Sequence, residues 1–431
     1  MPGRLRAACA VLAGALALAA PAPHAAELRA GLGVTSLPAP VGGAMGGFGG
    51  LITRRAEGTL DPPQARALVL EQAELRVAIV SLDIVIPRPH LRDAILEQVA
   101  GLGIDLLALT ASHTHSGPGG YLPGWLAERV TGGEYDPEQP GRLARAAAEA
   151  LEQAVADLAP ASLASGHAPV AFARNRRFEN GAADDQLPVL RADFADGRAP
   201  IVVFAYGAHA SLLSPRSDLY SADWPGAARA ALEAKGWRPL YLAGPLGDQE
   251  PNVDLGFWPS VETERAKTNE YGAAVAAAVE SVAESLTPRG DASLEALERW
   301  VEPPEIALRR YCALWWTRPL VDETVHGFLS KRVPLQVVRA GDAELLFLPA
   351  EPGASTGAGL RAGAKAKRTR FVVDHANDWL GYVVDEQAFE RGGYEACFSF
   401  YGPGMAQWLT SQANETIGLL DARSAGSADS R

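Results

Sequence analysis

Two histidines one residue apart, His113 and His115, stand in the run Ala111-Ser112-His113-Thr114-His115-Ser116-Gly117-Pro118-Gly119-Gly120. An apolar stretch leads into them. On an extended chain, residues i and i+2 project to the same face, and imidazole is the commonest protein ligand for zinc. The glycines that follow let backbone approach a ligand closely. Read alone, the pair supports metal binding and a polar strand end equally. His209 lies in Tyr206-Gly207-Ala208-His209-Ala210-Ser211, again where an apolar stretch gives way to a loop. Glu351, in Leu348-Pro349-Ala350-Glu351-Pro352-Gly353, could be a ligand. Locally the better reading is a cap for a helix starting at Gly353, because acids favour helix N-termini. Asp248 and Glu250 are two carboxylates on one tight loop, a pattern that serves acid–base work and equally ordinary turns. In Asn175-Arg176-Arg177 an arginine could hold an oxyanion or carboxylate, against the usual reading of a solvated turn.

These residues need a scaffold. Leu75 to Ile86, Leu106 to Ser112, Ile201 to Tyr206 and Pro239 to Ala243 read as buried strands, dense in Val, Ile and Leu. Ala168 to Ala173 reads as a further strand leading to Asn175. Pro140 to Leu158, Trp224 to Ala234 and Ala266 to Leu286 read as helices with an apolar face. Val333 to Leu348 reads as a hairpin turning at Ala340-Gly341-Asp342, followed by a helix over 353–367. The alternation predicts a mixed α/β fold, a single large domain with central β-sheets flanked by helices.

Composition narrows the function. With 48% hydrophobic residues the 431-residue chain can bury a large core, and 21% charged is below the level of a disordered chain. A net charge of −12 argues against nucleic acid, whose phosphates need a basic field. Arg4 and Arg6 precede a short apolar run, Ala7 to Ala20, and then small residues. This reads as a signal peptide over 1–26, too short to span a membrane, with export of the mature chain. No later stretch is long enough to span. The expected organisation is a catalytic domain over 27–420 and a frayed tail over 421–431. Cys312 and Cys397 are the cysteines of the mature chain, and pairing and burial as free thiols stand as equal alternatives. The sequence leaves the oligomeric state open.

Together the segments resemble the neutral ceramidase family, amidases that cleave the fatty acyl amide of ceramide. The similarity runs in order from about Leu28 to Gly404, and Ser112-His113-Thr114-His115-Ser116-Gly117-Pro118-Gly119-Gly120-Tyr121 matches the family signature essentially letter for letter. The resemblance implies a zinc ion (Zn2+) held by two histidines, a glutamate and a tyrosine, which fall on His113, His209, Glu351 and Tyr382. It gives His115 a catalytic or substrate-orienting role and places Arg176 along the site. Tyr394, in Tyr394-Glu395-Ala396, and Tyr401-Gly402-Pro403 also match. This chain departs from the pattern at Gly247-Asp248-Gln249-Glu250-Pro251-Asn252, where Glu250 stands at the family's serine. A serine acyl-enzyme is therefore not expected at that position. The family's full-length members also carry a C-terminal immunoglobulin-like domain, which this chain is expected to lack.

The expected activity is zinc-dependent hydrolysis of an amide bond in a small or lipid-like N-acyl substrate. Glu250 is the expected general base, with His115 and Tyr394 as donors to the oxyanion or leaving amine and Arg176 orienting a polar group. An aromatic set (Tyr311, Trp315, Trp316, Phe257 and Trp258) could floor an acyl pocket, although such residues are more often core or surface. The alternatives are hydrolysis of another N-acyl compound, ester or lactone on the same scaffold, and an exported metal- or ligand-binding protein without turnover.

Overall fold

The computed structural model describes residues 26–48, 54–124, 127–128, 133–309, 312 and 318–429. The larger of its two main sheets contains β1 (Arg29–Ser36), β2 (Gln64–Gln72), β3 (Leu75–Leu82), β4 (Leu106–Ala111), β5 (Ala159–Pro169), β6 (Gln186–Phe194), β7 (Ile201–Tyr206) and β8 (Arg238–Ala243). Their spatial order is β8-β7-β6-β5-β1-β2-β3-β4. The smaller sheet contains β9 (Leu294–Val301), β10 (Val333–Ala340), β11 (Ala343–Phe347) and β12 (Thr369–Val373), in that order. The helices that frame them include α1 (Pro89–Gln98), α2 (Gln139–Ala156), α3 (Asp223–Glu233), α4 (Val261–Ser285), α5 (Ala354–Ala362), α6 (Glu386–Arg391), α7 (Tyr394–Cys397) and α8 (Met405–Asp429).

Strand residues alternate between two destinations, as a pleated chain buried on both faces requires. Val77 and Ile79 of β3, Val203 and Ala205 of β7, and Leu240 and Leu242 of β8 join a core shared with Val338, Leu345 and Phe371 of the smaller sheet. The intervening residues face helices. Val202, Phe204 and Tyr241 meet Trp224, Val275 and Val279 of α3 and α4. Ala78, Val80 and Leu82 join Leu143, Ala147 and Leu151 of α2. On the far side, α8 lies over β9 and β10, adding Leu409, Ala413 and Ile417 to the core of Leu297 and Val337. The result is four layers: helices, sheet, sheet, helices. The mixed α/β expectation holds.

Within the two main sheets three pairs are parallel, β3/β4, β7/β8 and β11/β12. Each is joined by one helix (α1, α3 and α5), the crossover that parallel strands need. His113 follows β4, His209 follows β7, Glu351 follows β11 and His375 follows β12. Ligand sites in α/β sheets collect at such carboxyl ends. The segment 374–378 pins these ends together. Asp374 N–H donates to Ala243 O, His375 N–H to Ala350 O, Ala376 N–H to Leu348 O and Asn377 N–H to Leu109 O. Asn377 Oδ1 accepts from Leu109 N at 3.0 Å, and its Nδ2 donates to Gln336 Oε1 at 2.8 Å.

Several expectations change. The chain stays helical to Asp429, where a frayed tail was expected after Leu420. Asp421 fixes it through Arg339 at 2.8 Å and Lys365 at 2.7 Å. The strand expected over Ala168 to Ala173 is split. β5 ends at Pro169, and Ala173–Asn175 pairs instead with Gln249–Pro251. Glu351 does not cap the helix that follows it, since Ala354 N–H donates to Asp248 Oδ1 at 2.8 Å. Phe257 and Trp258 are 101% and 76% exposed, so they floor no pocket. Tyr311, Trp315, Trp316 and most of the expected signal peptide lie outside the described residues. Cys312 and Cys397 form a disulfide, with Cα atoms 5.3 Å apart.

Asn377→Ala removes the partner of a buried N–H and of a buried amide oxygen, at a backbone φ of +65°. Unsatisfied buried groups of this kind cost about 1–3 kcal/mol each. The expected outcome is a clear fall in the urea midpoint, and an unchanged midpoint would remove Asn377 from the pinning role.

Candidate functional site

His113 sits just beyond β4 at φ +59°. Its Nδ1 lies 2.7 Å from Val85 O, which can only accept, so Nδ1 carries the proton and Nε2 presents a lone pair. His209 repeats the arrangement, with Nδ1 donating to Gln249 O at 2.8 Å. Burial first, and neighbouring positive groups second, hold His113 well below and His209 below the ordinary imidazole range, so both rings are neutral near pH 7.

Glu351 is buried opposite them. Its Oε2 accepts from Trp379 Nε1 at 2.9 Å. Among the described residues its Oε1 has no hydrogen-bond partner, and it stands 3.3 Å from His209 Nε2 and 3.7 Å from His113 Nε2. His209 Nε2 has no partner either. Burial pushes the carboxyl up, but the His113 ring and contacts with His209 and His375 outweigh it and hold it well below its usual range. Gly247 makes the close packing here possible, because a Cβ on it would fall 2.5 Å from Glu351 O.

Tyr382 is the bridge partner of Glu351 in a short parallel pair, Glu351–Pro352 with Tyr382–Val383, which sends both side chains to one face. Its hydroxyl is 3.3 Å from Arg176 NH2. Burial, then the Glu351 charge, raises its phenol well above the usual value. Arg176 is fixed by Glu395 Oε1 at 2.8 Å and donates to Gly247 O at 3.1 Å. Burial disfavours its charge, but Tyr382, Glu395 and Glu351 together raise its pKa.

His115 brings its Nε2 to 3.3 Å from His113 Nε2, and its buried Nδ1 has no partner among the described residues. Burial, then His209 and Arg176, keeps this ring well below the imidazole range. It opens onto a cleft of about 790 Å³, also lined by Phe48, Arg176, Arg177, Phe178, Tyr382, Arg391, Tyr394 and Glu395. Tyr394 is part-exposed at the wall, and partial desolvation, then the Glu351 charge, pushes its phenol up to about 12.

The fold therefore gathers His113, His115, His209, Glu351, Tyr382, Arg176 and Tyr394 around one pocket. It does not gather Glu250. That side chain is half-exposed and pairs with Arg174 at 2.7 Å. On an extended strand the neighbour of a site residue faces away, and here the inward group of the strand is the Gln249 carbonyl. Sequence reasoning missed His375, which is buried with its Nε2 3.3 Å from Glu351 Oε2. The signal was present: like His209, it follows a buried apolar strand.

The donor set fits a divalent cation. Two groups could hold one, His113–His115–His209 and His113–Glu351–His375. A buried carboxylate oxygen facing an imidazole lone pair with no hydrogen between them is repulsive until a cation enters. Neutral imidazole nitrogens with a carboxylate oxygen are the ligand types of zinc sites.

Fold and site thus define a four-layer α/β protein whose buried imidazole–carboxylate pocket opens at the strand ends. Residues 30–240 match the family model described as neutral/alkaline non-lysosomal ceramidase, N-terminal. The neutral ceramidase of Mycobacterium tuberculosis (strain ATCC 25618 / H37Rv) is 23% identical over 467 residues, covering 85% of this chain and 72% of its own length. The crystal structure of neutral ceramidase from Pseudomonas aeruginosa superposes with a TM-score of 0.78 at 21% identity, covering 92% of this chain and 75% of that one. A ceramidase complexed with C2 gives 0.77 at 20% identity, covering 92% and 76%. Over residues 30–240 the chain thus resembles the neutral/alkaline non-lysosomal ceramidase family.

Adding zinc to chelator-treated protein is expected to raise the unfolding temperature, because a ligand of the native state stabilises it by about 2.7 kcal/mol at one hundred times Kd. Glu351→Gln is expected to abolish most of that rise. Equal rises in both proteins would place the cation elsewhere.

Proposed function

We propose that this chain is a zinc-dependent hydrolase of the amide bond in a ceramide-like N-acyl substrate, working outside the cytoplasm after removal of a signal peptide. One observation carries the reading. Glu351 Oε1 and His209 Nε2 face each other at 3.3 Å, both buried and both without a hydrogen-bond partner among the described residues. His113, His209, Glu351 and Tyr382 are the proposed ligands. When bound, zinc supplies a Lewis acid that polarises a carbonyl and acidifies water.

The surrounding side chains have separate tasks. Hydrolysis breaks the acyl C–N bond, adds hydroxyl to the acyl carbon and delivers a proton to the leaving amine. His115 is placed for that proton transfer, being neutral, next to His113 and open to the cleft. Tyr394 keeps its proton at neutral pH and donates to the developing oxyanion. Arg176, locked by Glu395, holds the Tyr382 hydroxyl in place. Phe48 and Phe178 offer apolar wall to an acyl chain. The Arg174 ion pair of Glu250 favours a structural task for that carboxylate over the base role.

A second reading, another N-acyl compound on the same scaffold, is favoured by the charge of the cleft. Its lining carries Arg176, Arg177 and Arg391 against Glu395, in a chain of net charge −12. Glu395 already pairs with Arg176 and Arg177, while Arg391 stands over the Phe178 ring at 4.7 Å. An amine bearing an acidic group would suit this lining better than a neutral one.

Paired variants test the proton transfer. His115→Ala is expected to lower kcat by about 100-fold or more, the scale of a lost acid–base group, with zinc content retained. Glu250→Gln is expected to stay near wild type. The reverse pattern would return the base role to Glu250, and no turnover of any N-acyl or activated ester substrate by wild type would leave a binding protein.

A further inference from the structure

His375 is the buried imidazole to which the mechanism above gives no task. It has no solvent exposure, and neither ring nitrogen has a hydrogen-bond partner among the described residues. Its backbone lies at φ +49°, a left-handed conformation that non-glycine residues occupy at a cost. The bonds that pin segment 374–378 hold it there. The ring is stacked on His113, with centroids 4.2 Å apart and planes 24° apart. Its Nε2 is 3.3 Å from Glu351 Oε2, within ion-pair distance.

Two tasks are open to such a residue: sharing the cation, or holding the carboxylate that binds it. Ring orientation separates them. A cation lies along the nitrogen lone pair, in the plane of the imidazole. The rings of His113 and His209 are 79° apart, so their Nε2 lone pairs can meet at one point. The rings of His113 and His375 are nearly parallel, so their lone pairs run side by side and do not converge. The carboxylate divides the same way. Oε1 faces His113 and His209, while Oε2 faces His375 and the Trp379 N–H.

We propose that His375 is a positioning residue that grips Glu351 Oε2 together with Trp379, so that Glu351 offers Oε1 alone to the cation. The inference rests on the metal-centre reading above. His375 then carries its proton on Nε2, donates toward Oε2, and stacks its ring on His113 to fix that ligand's plane. Groups that orient a metal ligand in this way typically change metal affinity by 10–100-fold on removal.

The test compares wild type, His375→Phe and His375→Asn. Phenylalanine keeps a flat ring on His113 and removes both nitrogens. Asparagine tolerates the left-handed backbone and restores an N–H donor. Zinc affinity is measured by competition with a chromophoric chelator, and coordination by the visible absorption of the cobalt-loaded protein. The expected result for His375→Phe is about 10-fold or greater loss of affinity, with the cobalt band unchanged in position and intensity. His375→Asn is expected to recover part of the loss, and it stands in for the phenylalanine variant if that fails to fold. A changed cobalt spectrum would make His375 a ligand, and wild-type affinity in both variants would leave it without a role at the centre. Failure of the wild-type chain itself to hold stoichiometric cation is a separate result, which overturns the underlying metal reading.

Discussion

Glu351 Oε1 and His209 Nε2 face each other with no hydrogen between them, and both are buried. Each carries a lone pair. A protein does not keep such a contact for stability, because a buried polar group without a partner costs free energy and two facing acceptors cost more. Everything around the contact works to keep it. The Val85 and Gln249 carbonyls fix which nitrogen of His113 and of His209 is protonated, and so aim both lone pairs inward. Trp379 occupies the other Glu351 oxygen. Arg176 and Glu395 hold the Tyr382 hydroxyl from the opposite side.

The fold meets this demand by placing one residue at the end of each of several strands. β4 and β7 belong to the larger sheet, and β11 and β12 to the smaller. Face-to-face packing brings the four ends to one edge of the sandwich. The core between the sheets therefore sets the spacing of the site. Val77, Leu240, Leu345 and Phe371, all in that shared core, fix how far β4 and β7 stand from β11 and β12.

Much of this could be read from the sequence, and what could not has physical reasons. Continuous apolar runs marked β3, β4, β7 and β8 within a few residues, because strands buried on both faces have no polar alternation to blur them. The hairpin turning at Gly341-Asp342 was clear from its turn residues. The convergence of His113, His209, Glu351 and Tyr382 was not local information at all. It came from resemblance to a family, since residues so far apart in sequence meet only through the packing of two sheets. Glu250 shows the limit of that transfer. The resemblance gave its position in the loop, but the direction of its side chain depends on pairing between Gln249–Pro251 and Ala173–Asn175, which the sequence did not reveal. His375 shows the converse. It matched none of the residues the resemblance supplied, so its own strand-end signal went unread.

Strain collects at the same layer. His113, His375 and Asn377 all lie at positive φ, at +59°, +49° and +65°. Such conformations persist only where the surroundings over-determine them. Here the pinning bonds of segment 374–378 do so, tying the ends of β4, β8 and β11 with backbone hydrogen bonds and stacking the His375 ring on His113. One short segment thus locks the strand ends and sets a ring against a site imidazole. A change within it cannot loosen the fold without also moving the imidazoles, which ties the precision of the site to the stability of the sheet edge.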